Sequence, residues 1–581
     1  EYRLSPPVLS SSPDRTTRMA DVNKSTLAWT GERMVPHHSD AATELYHWQR
    51  YLFFKPWYEK AKVVDAASGE GYGTSFAGVY AEKATGVEID AEAVAHGNKK
   101  YDHCQFVQSD VTTYDYSDAD LVLSFETIEH VPDPVAFLKA LKTCKGRIVI
   151  STPNRKTHSP GNKLEDKPLN PFHTIEWTPV EFAKIVEEVF EGRQVRFLSQ
   201  EQRWPGRIVE GLDDDAMYCI AVIGDGELPK WPRIGMAIPT INNFGQLQET
   251  ILSYSKFYPG EIEFAVVANG TNKEHLEQIK KLESAIPYML HVIEEEKNLG
   301  YGAGCNLGLD YLWQEGYFDY FAVSNDDVIA LPGTLVEMVG AFQELTKQEL
   351  NPGVLGPVTN RISGAQQVDI GEFHDRASMF DKGMIYHLKN ANGATRRDQL
   401  RGLLFLISPD CLSDVGGFDL RFGWGNFEDD DHNLRCKLAG YSLWSVDGAF
   451  LYHHGSQTFQ NLNIDYAANI ERNMQCFGWK WDLVNTEDWP LLEEAPEGVS
   501  LFEPLSKRPQ HEFSVTVQGG ERIDLITQAS DIEFVAWVHE RLKARHRDIR
   551  RDIVKVIMDA VQPAVSEAVQ AEKTPEESTA A

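Results

Sequence analysis

Twice along this chain, short β-branched runs alternate with helix-patterned stretches, and the two series share no internal repeat. Such alternation is the pattern of parallel strands joined by crossover helices, and two unrelated series mean two different α/β domains. In the first series, from about Thr30 to Ile223, strands are predicted at Lys62–Asp65, Ala84–Glu88, Ala119–Leu123 and Arg147–Ile150. The polar, turn-rich run Gly224–Lys230 separates it from a second series that opens at Arg233–Pro239. That series continues through Ile262–Ala268 and Tyr320–Val323 and ends near Trp481. The expected organisation is therefore a leader over 1–29, a first domain over 30–223, a linker over 224–232 and a second domain over 233–496. A helical extension over 497–572 and a disordered tail over 573–581 complete it.

Composition removes several classes of function. The 581 residues exceed one ordinary domain, and 42% hydrophobic content is enough for real cores. With 87 acidic against 56 basic residues the formal charge is −31, which argues against a nucleic-acid binder needing a broad basic footprint. The seven cysteines are scattered singly with no C-x-x-C pair, as expected of reduced thiols in a cytosolic protein. No window approaches a membrane-spanning apolar run, and Glu1–Arg18 lacks the apolar segment of a signal peptide. Near the C-terminus, Arg541, Lys543, Arg545, Arg547, Arg550 and Arg551 form a basic cluster between two helical patterns. Its expected roles are a solvated face of a helical oligomerisation tail, or contact with an anionic membrane surface or acidic partner.

In the first series a strand runs directly into Asp65-Ala66-Ala67-Ser68-Gly69-Glu70-Gly71-Tyr72-Gly73, a turn whose missing side chains let a ligand approach the backbone. About twenty residues on, Glu88 ends the next strand, where a carboxylate can accept both hydroxyls of an adenosine ribose. Standing alone, Glu88 or Asp110 would be a solvated strand-end acid; it is the order of motifs that adds meaning. This turn, Gln108-Ser109-Asp110-Val111, and Ser124-Phe125-Glu126-Thr127-Ile128-Glu129-His130-Val131 followed by Pro132-Asp133-Pro134 resemble the class I S-adenosylmethionine-dependent methyltransferases. Ile150–Asn154 and Asn170-Pro171-Phe172-His173 look like the subgroup that methylates small molecules and sugars. Ala67 and Ser68 depart from that family's commoner Gly and Cys without removing a needed group. The resemblance implies cofactor contacts at Asp65, Gly69, Gly71, Gly73, Glu88, Asp110 and Glu126. His130 or Glu129 is a general-base candidate by type and placement, with His173 a weaker one.

The second series carries Ile238-Pro239-Thr240 at a strand end and the glycine-rich run Asn298-Leu299-Gly300-Tyr301-Gly302-Ala303-Gly304. That run lacks the Lys-Ser/Thr of a P-loop. Asn325-Asp326-Asp327 follows an apolar strand, and adjacent carboxylates on such a turn suit a hard divalent cation bridging a diphosphate. With Gly416–Asp419, Trp424, the run Glu428-Asp429-Asp430-Asp431 and Tyr452-His453-His454, the order resembles GT-A glycosyltransferases of family two, especially rhamnosyltransferase-like members. The resemblance implies nucleotide-sugar contacts at Pro239, Thr240, Asn269, Asn298, Gly300, Gly304, Asn325, Asp326, Asp327, Trp424 and Glu428. It further implies metal ligands at Asp327 and His453, with Mg²⁺ and Mn²⁺ both open, and Asp429 as general base.

The fold expected is α/β: a Rossmann-like class I methyltransferase domain, then a GT-A domain, with a helical C-terminal extension. The expected function is bifunctional. One domain transfers a sugar, with inversion, from a nucleotide-sugar donor to a glycan or lipid-linked glycan acceptor. The other uses S-adenosylmethionine to O-methylate a sugar, in surface polysaccharide biosynthesis or glycan modification. The alternative is a glycan-binding or assembly protein with one enzymatic domain degenerate. The expected location is the cytoplasm, at the inner face of the membrane if the C-terminal helices dock there; a homo-oligomer is compatible with the same tail.

Overall fold

The computed structural model describes residues 27, 33–455, 466–480, 513–517 and 521–525. The leader apart from residue 27, the tail and the basic cluster from Arg541 to Arg551 lie outside the described residues, as does most of the extension. The chain divides into one unit of residues 1–231 with 255–260 and another of 232–254 with 261–581. No helix among the described residues is long and apolar enough to cross a membrane. The seven cysteines form no disulfide.

The first unit places α1 (Ala41–Phe53), β1 (Lys62–Ala66), α2 (Tyr72–Gly78), β2 (Lys83–Glu88), α3 (Ala91–Lys100), β3 (Gln105–Gln108) and β4 (Leu121–Phe125) in order. Then follow α4 (Pro134–Leu141), β5 (Arg147–Pro153), α5 (Arg155–His158), α6 (Pro179–Val189), β6 (Val195–Gln200), β7 (Ile208–Glu210) and β8 (Tyr218–Ile223). The sheet order is β3-β2-β1-β4-β5-β8-β6-β7. Strands β1 to β5 pair in parallel, whereas β8 pairs antiparallel with both β5 and β6. Central strands are apolar along their length because helices cover both faces. Val122, Ile148 and Ile150 pack with Phe137, Leu138 and Phe182 in one buried cluster. Helix starts follow the sequence closely. Asp133 caps α4 ahead of Pro134, and Thr178 with Glu181 forms a capping box on α6. The strand order reverses at β1, which puts the ends of β1, β2 and β4 around one crevice.

The second unit comprises β9 (Ile234–Thr240), α7 (Phe244–Phe257), β10 (Ile262–Asn269), α8 (Lys273–Ala285), β11 (Leu290–Glu295), α9 (Tyr301–Glu315), β12 (Tyr320–Ser324) and β13 (Val328–Ala330). It continues with α10 (Thr334–Lys347), β14 (Pro352–Thr359), α11 (Arg376–Asn390), β15 (Ala394–Arg397), β16 (Leu404–Ile407), α12 (Pro409–Val415), α13 (Glu428–Leu438), β17 (Ser442–His453) and α14 (Tyr466–Lys480). Its sheet runs β11-β10-β9-β12-β16-β14-β17-β13, with β15 also on β17. The half from β11 to β12 is parallel, and β16 enters antiparallel between β12 and β14. Ala237, Val323, Phe405, Ile407, Phe418 and Leu443 share its core. Here the order reverses at β9, beside the Asn325-Asp326-Asp327 turn that follows β12.

One expectation needs correction. Within the extension expected to be helical over 497–572, the described stretch is an antiparallel hairpin of β18 (Phe513–Val517) and β19 (Glu521–Leu525), in register Phe513 to Leu525. Phe513, Val515 and Val517 alternate with Ser514 and Thr516, a period of two, and Gly519-Gly520 stands between the strands in sequence. Two-residue periodicity with a glycine pair selects a hairpin over a helix.

Candidate active sites

In the first unit, β1 ends at Ala66 and the chain turns through Gly69 at φ 58° and Gly71 at φ 100° into α2. A Cβ on Gly71 would lie 2.7 Å from the Phe106 ring, and one on Gly73 would lie 2.0 Å from the Tyr51 ring. Both glycines are therefore required by aromatic packing, a cause that sequence reading does not reveal. At Gly69 the Cβ position is open apart from Arg33 Cβ at 3.9 Å. Glu88 ties this turn to the end of β2: its carboxylate accepts Gly69 N at 2.9 Å and Ile89 N and Asp90 N at 3.0 Å each.

Asp65 is buried and accepts Thr74 Oγ1 at 2.7 Å and Tyr51 OH at 3.1 Å. Burial, with the charge of Glu88 adding to it, pushes its carboxyl up to about 7. Asp110 is exposed just past β3, and hydrogen bonds from the Thr112 hydroxyl and amide hold its carboxyl below the usual value. Glu126, at φ 53° after β4, accepts Ser151 Oγ at 2.7 Å. Its Oε1 also lies 3.7 Å from Arg50 Nη1. Arg50, on α1, is fully buried, stacks over Tyr218 at 4.5 Å, and leaves Nε and Nη2 without a hydrogen-bond partner. Sequence reading missed Arg50 and Tyr51 because α1 precedes every recognised motif; an arginine within the aromatic run Tyr46 to Phe54 was the available signal.

The turn after β4 and the loop before α6 bring Glu129, His130 and His173 together, with one donor atom of each within 4.8 Å of the others. Glu129 is fully buried. Its Oε2 accepts Thr152 Oγ1 at 3.0 Å, and its Oε1 has no hydrogen-bond donor. Burial, then the neighbouring Glu126, pushes its carboxyl well above the usual range. His130 Nδ1 donates to Phe172 O at 3.1 Å, and His173 Nδ1 contacts Glu176 Oε1 at 2.6 Å. Glu176, another residue missed from sequence, is buried. Burial works against its charge, but the His173 hydrogen bond holds its carboxyl below the usual value.

In the second unit, Thr240 at the end of β9 donates to Asp326 Oδ2 at 2.6 Å. Burial, then Asp327, pushes Asp326 up to about 7. Asp327 Oδ1 instead lies 3.3 Å from His453 Nε2, and His453 Nδ1 donates to Arg361 O at 2.7 Å. Burial opposes a charge on His453, but the hydrogen bond and charge of Asp327 raise its pKa overall. Asn269 Nδ2 donates to Gly300 O at 2.9 Å, its Oδ1 accepts Leu299 N at 2.8 Å, and Asn298 Oδ1 accepts Gly300 N at 2.9 Å. These asparagines fix the entry into α9, while Gly304 lets Pro239 of β9 approach.

The acidic run that opens α13 is sorted by its partners. Asp430 is bound by Arg401 at 2.9 Å and Gln399 at 2.6 Å, and Asp431 by Arg435 at 2.9 Å; both acids are fully buried. Glu428 keeps a buried Oε2 with no hydrogen-bond partner, and burial followed by Asp429 pushes its carboxyl well above the usual range. Asp429 accepts only backbone amides in the described contacts, Gly402 N at 3.0 Å and Asp430 N at 2.8 Å. Residues 402 and 403 join two parts of the site, since Asn325 N donates to Leu403 O at 3.0 Å. Trp424 is 44% exposed on the strained turn before α13, where Asn426 and Phe427 both have positive φ. Asn469 and Asn473 of α14 brace that turn through its carbonyls, a role sequence reading did not find.

Each unit has an open α/β sheet with a glycine-rich turn and buried acids at the strand ends, the place where such sheets bind ligands. Residues 64–146 match the family described as "Methyltransferase domain" and residues 236–353 match "Glycosyl transferase family 2". A probable S-adenosylmethionine-dependent methyltransferase of Mycobacterium tuberculosis is 32% identical over 241 residues, covering 38% of this chain and 82% of that protein. A similarly described protein of Mycolicibacterium smegmatis is 33% identical over 172 residues, 28% of this chain and 65% of its own. Among solved structures, the methyltransferase domain of bacterial CtHen1-CN is 24% identical, with 31% of this chain and 100% of that one covered and a TM-score of 0.25. The mannosyltransferase PcManGT from Pyrobaculum calidifontis, in complex with GDP-Man and Mn²⁺, is 13% identical over 59% of this chain and 80% of that one, with a TM-score of 0.31. The chain belongs to the S-adenosylmethionine-dependent methyltransferases and carries, in the same polypeptide, a family 2 glycosyltransferase domain.

Proposed function

We propose that the glycosyltransferase inverts a nucleotide-sugar donor onto a glycan or lipid-linked glycan acceptor, and that the methyltransferase O-methylates a sugar of the same product. The observation that carries the first activity is the sorting of the acidic run. Asp430 and Asp431 are neutralised by Arg401 and Arg435, which leaves Asp429 as the acid bound only by backbone amides. In this reading Asp429 takes the proton of the attacking acceptor hydroxyl. A carboxylate oxygen of Asp327 beside an imidazole nitrogen of His453 is a donor set fit for a divalent cation, and the nitrogen favours Mn²⁺ over Mg²⁺. When bound, that ion stabilises the charge of the departing nucleoside diphosphate.

For methyl transfer, the open position at Gly69 and the Glu88 carboxylate at the strand tip fit an adenosine-bearing donor. The sulfonium already carries the activation of the methyl group, so the protein need only orient the acceptor and remove its proton. That task falls to the Glu129–His130 pair, with His173 beside it. A shared product places both steps in surface polysaccharide biosynthesis or glycan modification, with the cytoplasm as the proposed location. The test is a panel of nucleotide sugars with free and lipid-linked glycans, analysed by mass spectrometry with and without S-adenosylmethionine. A product heavier by one hexose or deoxyhexose, and by one further methylene when methyl donor is present, is expected. Sugar transfer with no methylated product on any acceptor would refute the joint pathway.

A further inference from the structure

Arg50 is a buried cation short of partners. It sits on α1 with no exposed surface, over the rings of Phe125 at 5.7 Å and Tyr218 at 4.5 Å. Nη1 donates to the neutral amide oxygen of Gln200 at 2.9 Å, and its ion pair with Glu126 Oε1 is 3.7 Å long, beyond hydrogen-bond reach. Glu129 lies within range of the same charge, but burial drives that carboxyl toward its neutral form. Nε and Nη2 have no hydrogen-bond partner. Together these two N–H groups form the side-on edge of the guanidinium, the fork that takes both oxygens of a carboxylate. A buried fork left empty is costly, because each unmade bond carries its desolvation penalty; a ligand that completes it removes that cost.

Its place in the sheet favours the methyl acceptor over the methyl donor as that ligand. Phe125 ends β4, Gln200 ends β6 and Tyr218 opens the antiparallel β8, so all three lie on the same edge of the sheet. The glycine turn and Glu88 stand at β1 and β2 on that edge, and the strand order runs on through β4, β5, β8 and β6 away from them. The turn bearing Glu129 and His130 follows β4. A donor with its adenosine at β2 directs its methyl group toward β4, and Arg50 lies on the acceptor's side of that point. Resting on the reading that this domain O-methylates a sugar, we propose that the side-on edge of Arg50 binds a carboxylate of the acceptor, which makes the acceptor an acidic, uronate-type sugar. Bidentate pairing supplies the missing counter-charge, and the low-dielectric aromatic walls strengthen it. With Arg50 fully buried, the acid group enters as a neighbouring side chain gives way. The α-carboxylate of the methyl donor offers the same chemistry, so the test separates the two sources.

The test uses the full chain with S-adenosylhomocysteine bound, titrated calorimetrically with matched methyl hexuronosides and methyl hexosides of gluco, galacto and manno configuration. The parent is expected to bind at least one hexuronoside about 10–100-fold more tightly than its neutral match. Arg50→Met should abolish that preference, and Arg50→Lys, which keeps the charge but not the fork, should retain only part of it. S-adenosylmethionine and its decarboxylated analogue are compared in the same proteins. The ratio of their affinities is expected to be equal in parent and variants, and retained binding of both shows that the variants are folded. Equal affinity for both members of every sugar pair in the parent would overturn the proposal with no variant needed. So would a hexuronoside preference that survives Arg50→Met, or a loss confined to the donor's carboxylate, which assigns Arg50 to the methyl donor instead. A hexuronoside preference with no methyl transfer to either class of sugar would keep the Arg50 site and strike the O-methylation reading beneath it.

Discussion

His453 meets Asp327 through Nε2, 3.3 Å from Oδ1, because the carbonyl of Arg361 holds the opposite ring nitrogen at 2.7 Å. Both side chains are largely buried, so neither can swing to solvent without breaking that arrangement. Asp326, the adjacent acid, is turned the other way and occupied by Thr240. The turn after β12 therefore presents one carboxylate, Asp327, with an imidazole fixed beside it.

Chelation is expected to abolish sugar transfer, and Mn²⁺ to restore it more effectively than Mg²⁺. Asp327→Asn should raise the Mn²⁺ concentration for half-maximal activity by at least about 10-fold, while Asp326→Asn should act mainly on stability. Metal titrations of initial rates check this. Full activity in chelator would remove the cation from the reading.

The four acids at the start of α13 should separate cleanly on mutation. Asp429→Asn is expected to lower sugar transfer by about 10²–10⁴-fold with donor binding and methyl transfer intact. Asp430→Asn leaves Arg401 buried opposite a neutral amide and should cost about 3–5 kcal/mol of stability, because the loss of one partner strands the other's charge. Donor calorimetry together with urea melts distinguishes the two. Equal rate losses with equal destabilisation would deny Asp429 a special role.

How far the sequence spoke is visible in these same residues. Local signals were legible: the strands leading to Gly69 and Asn325, the Asp133-Pro134 helix start, and the two non-repeating α/β series all follow from periodicity and turn chemistry. What stayed hidden was long-range pairing. Nothing in Glu-Asp-Asp-Asp says that Arg401 will bind the third acid and Arg435 the fourth, or that Glu176 will orient His173. The antiparallel entries of β8 and β16 were equally silent, since a buried strand reads alike in either direction. The hairpin at Phe513–Leu525 was readable from its alternation, but the helical spacing further along drew the whole extension to helix.

Gly300→Ala should be far more damaging than its chemistry suggests. A Cβ there would fall 2.0 Å from Gly423 O, a backbone atom with no rotamer to yield, and Gly300 also has φ 92°. The expected result is loss of nucleotide-sugar binding, because the α9 entry and the turn bearing Trp424 are forced apart. Gly245→Ala, at an open helical position, should stabilise by roughly 0.4–1 kcal/mol. Thermal melts and donor titration of the pair decide whether close approach is the reason for glycine at 300.

The methyltransferase should lose stability as pH rises, and Asp65 is a principal cause. Its carboxyl ionises near 3.8 when unfolded and at about 7 when folded, since burial outweighs the hydrogen bonds from Thr74 and Tyr51. Between those values the folded state holds a proton the unfolded state has released. The contribution is therefore fully present below 3.8 and gone once pH has passed about 7. Within that window the slope is at most about 1.4 kcal/mol per pH unit. Asp65→Asn keeps an acceptor for the Thr74 or Tyr51 hydroxyl and carries no charge at any pH, so its stability should fall less steeply across the same range. Asp326 adds a slope of the same sign in the other unit, so only the difference between parent and variant isolates Asp65. Urea unfolding of the full chain, with the methyltransferase followed by pulse proteolysis, measures that difference. If the two midpoints move in parallel from acid to neutral pH, the buried carboxyl is not the group being titrated.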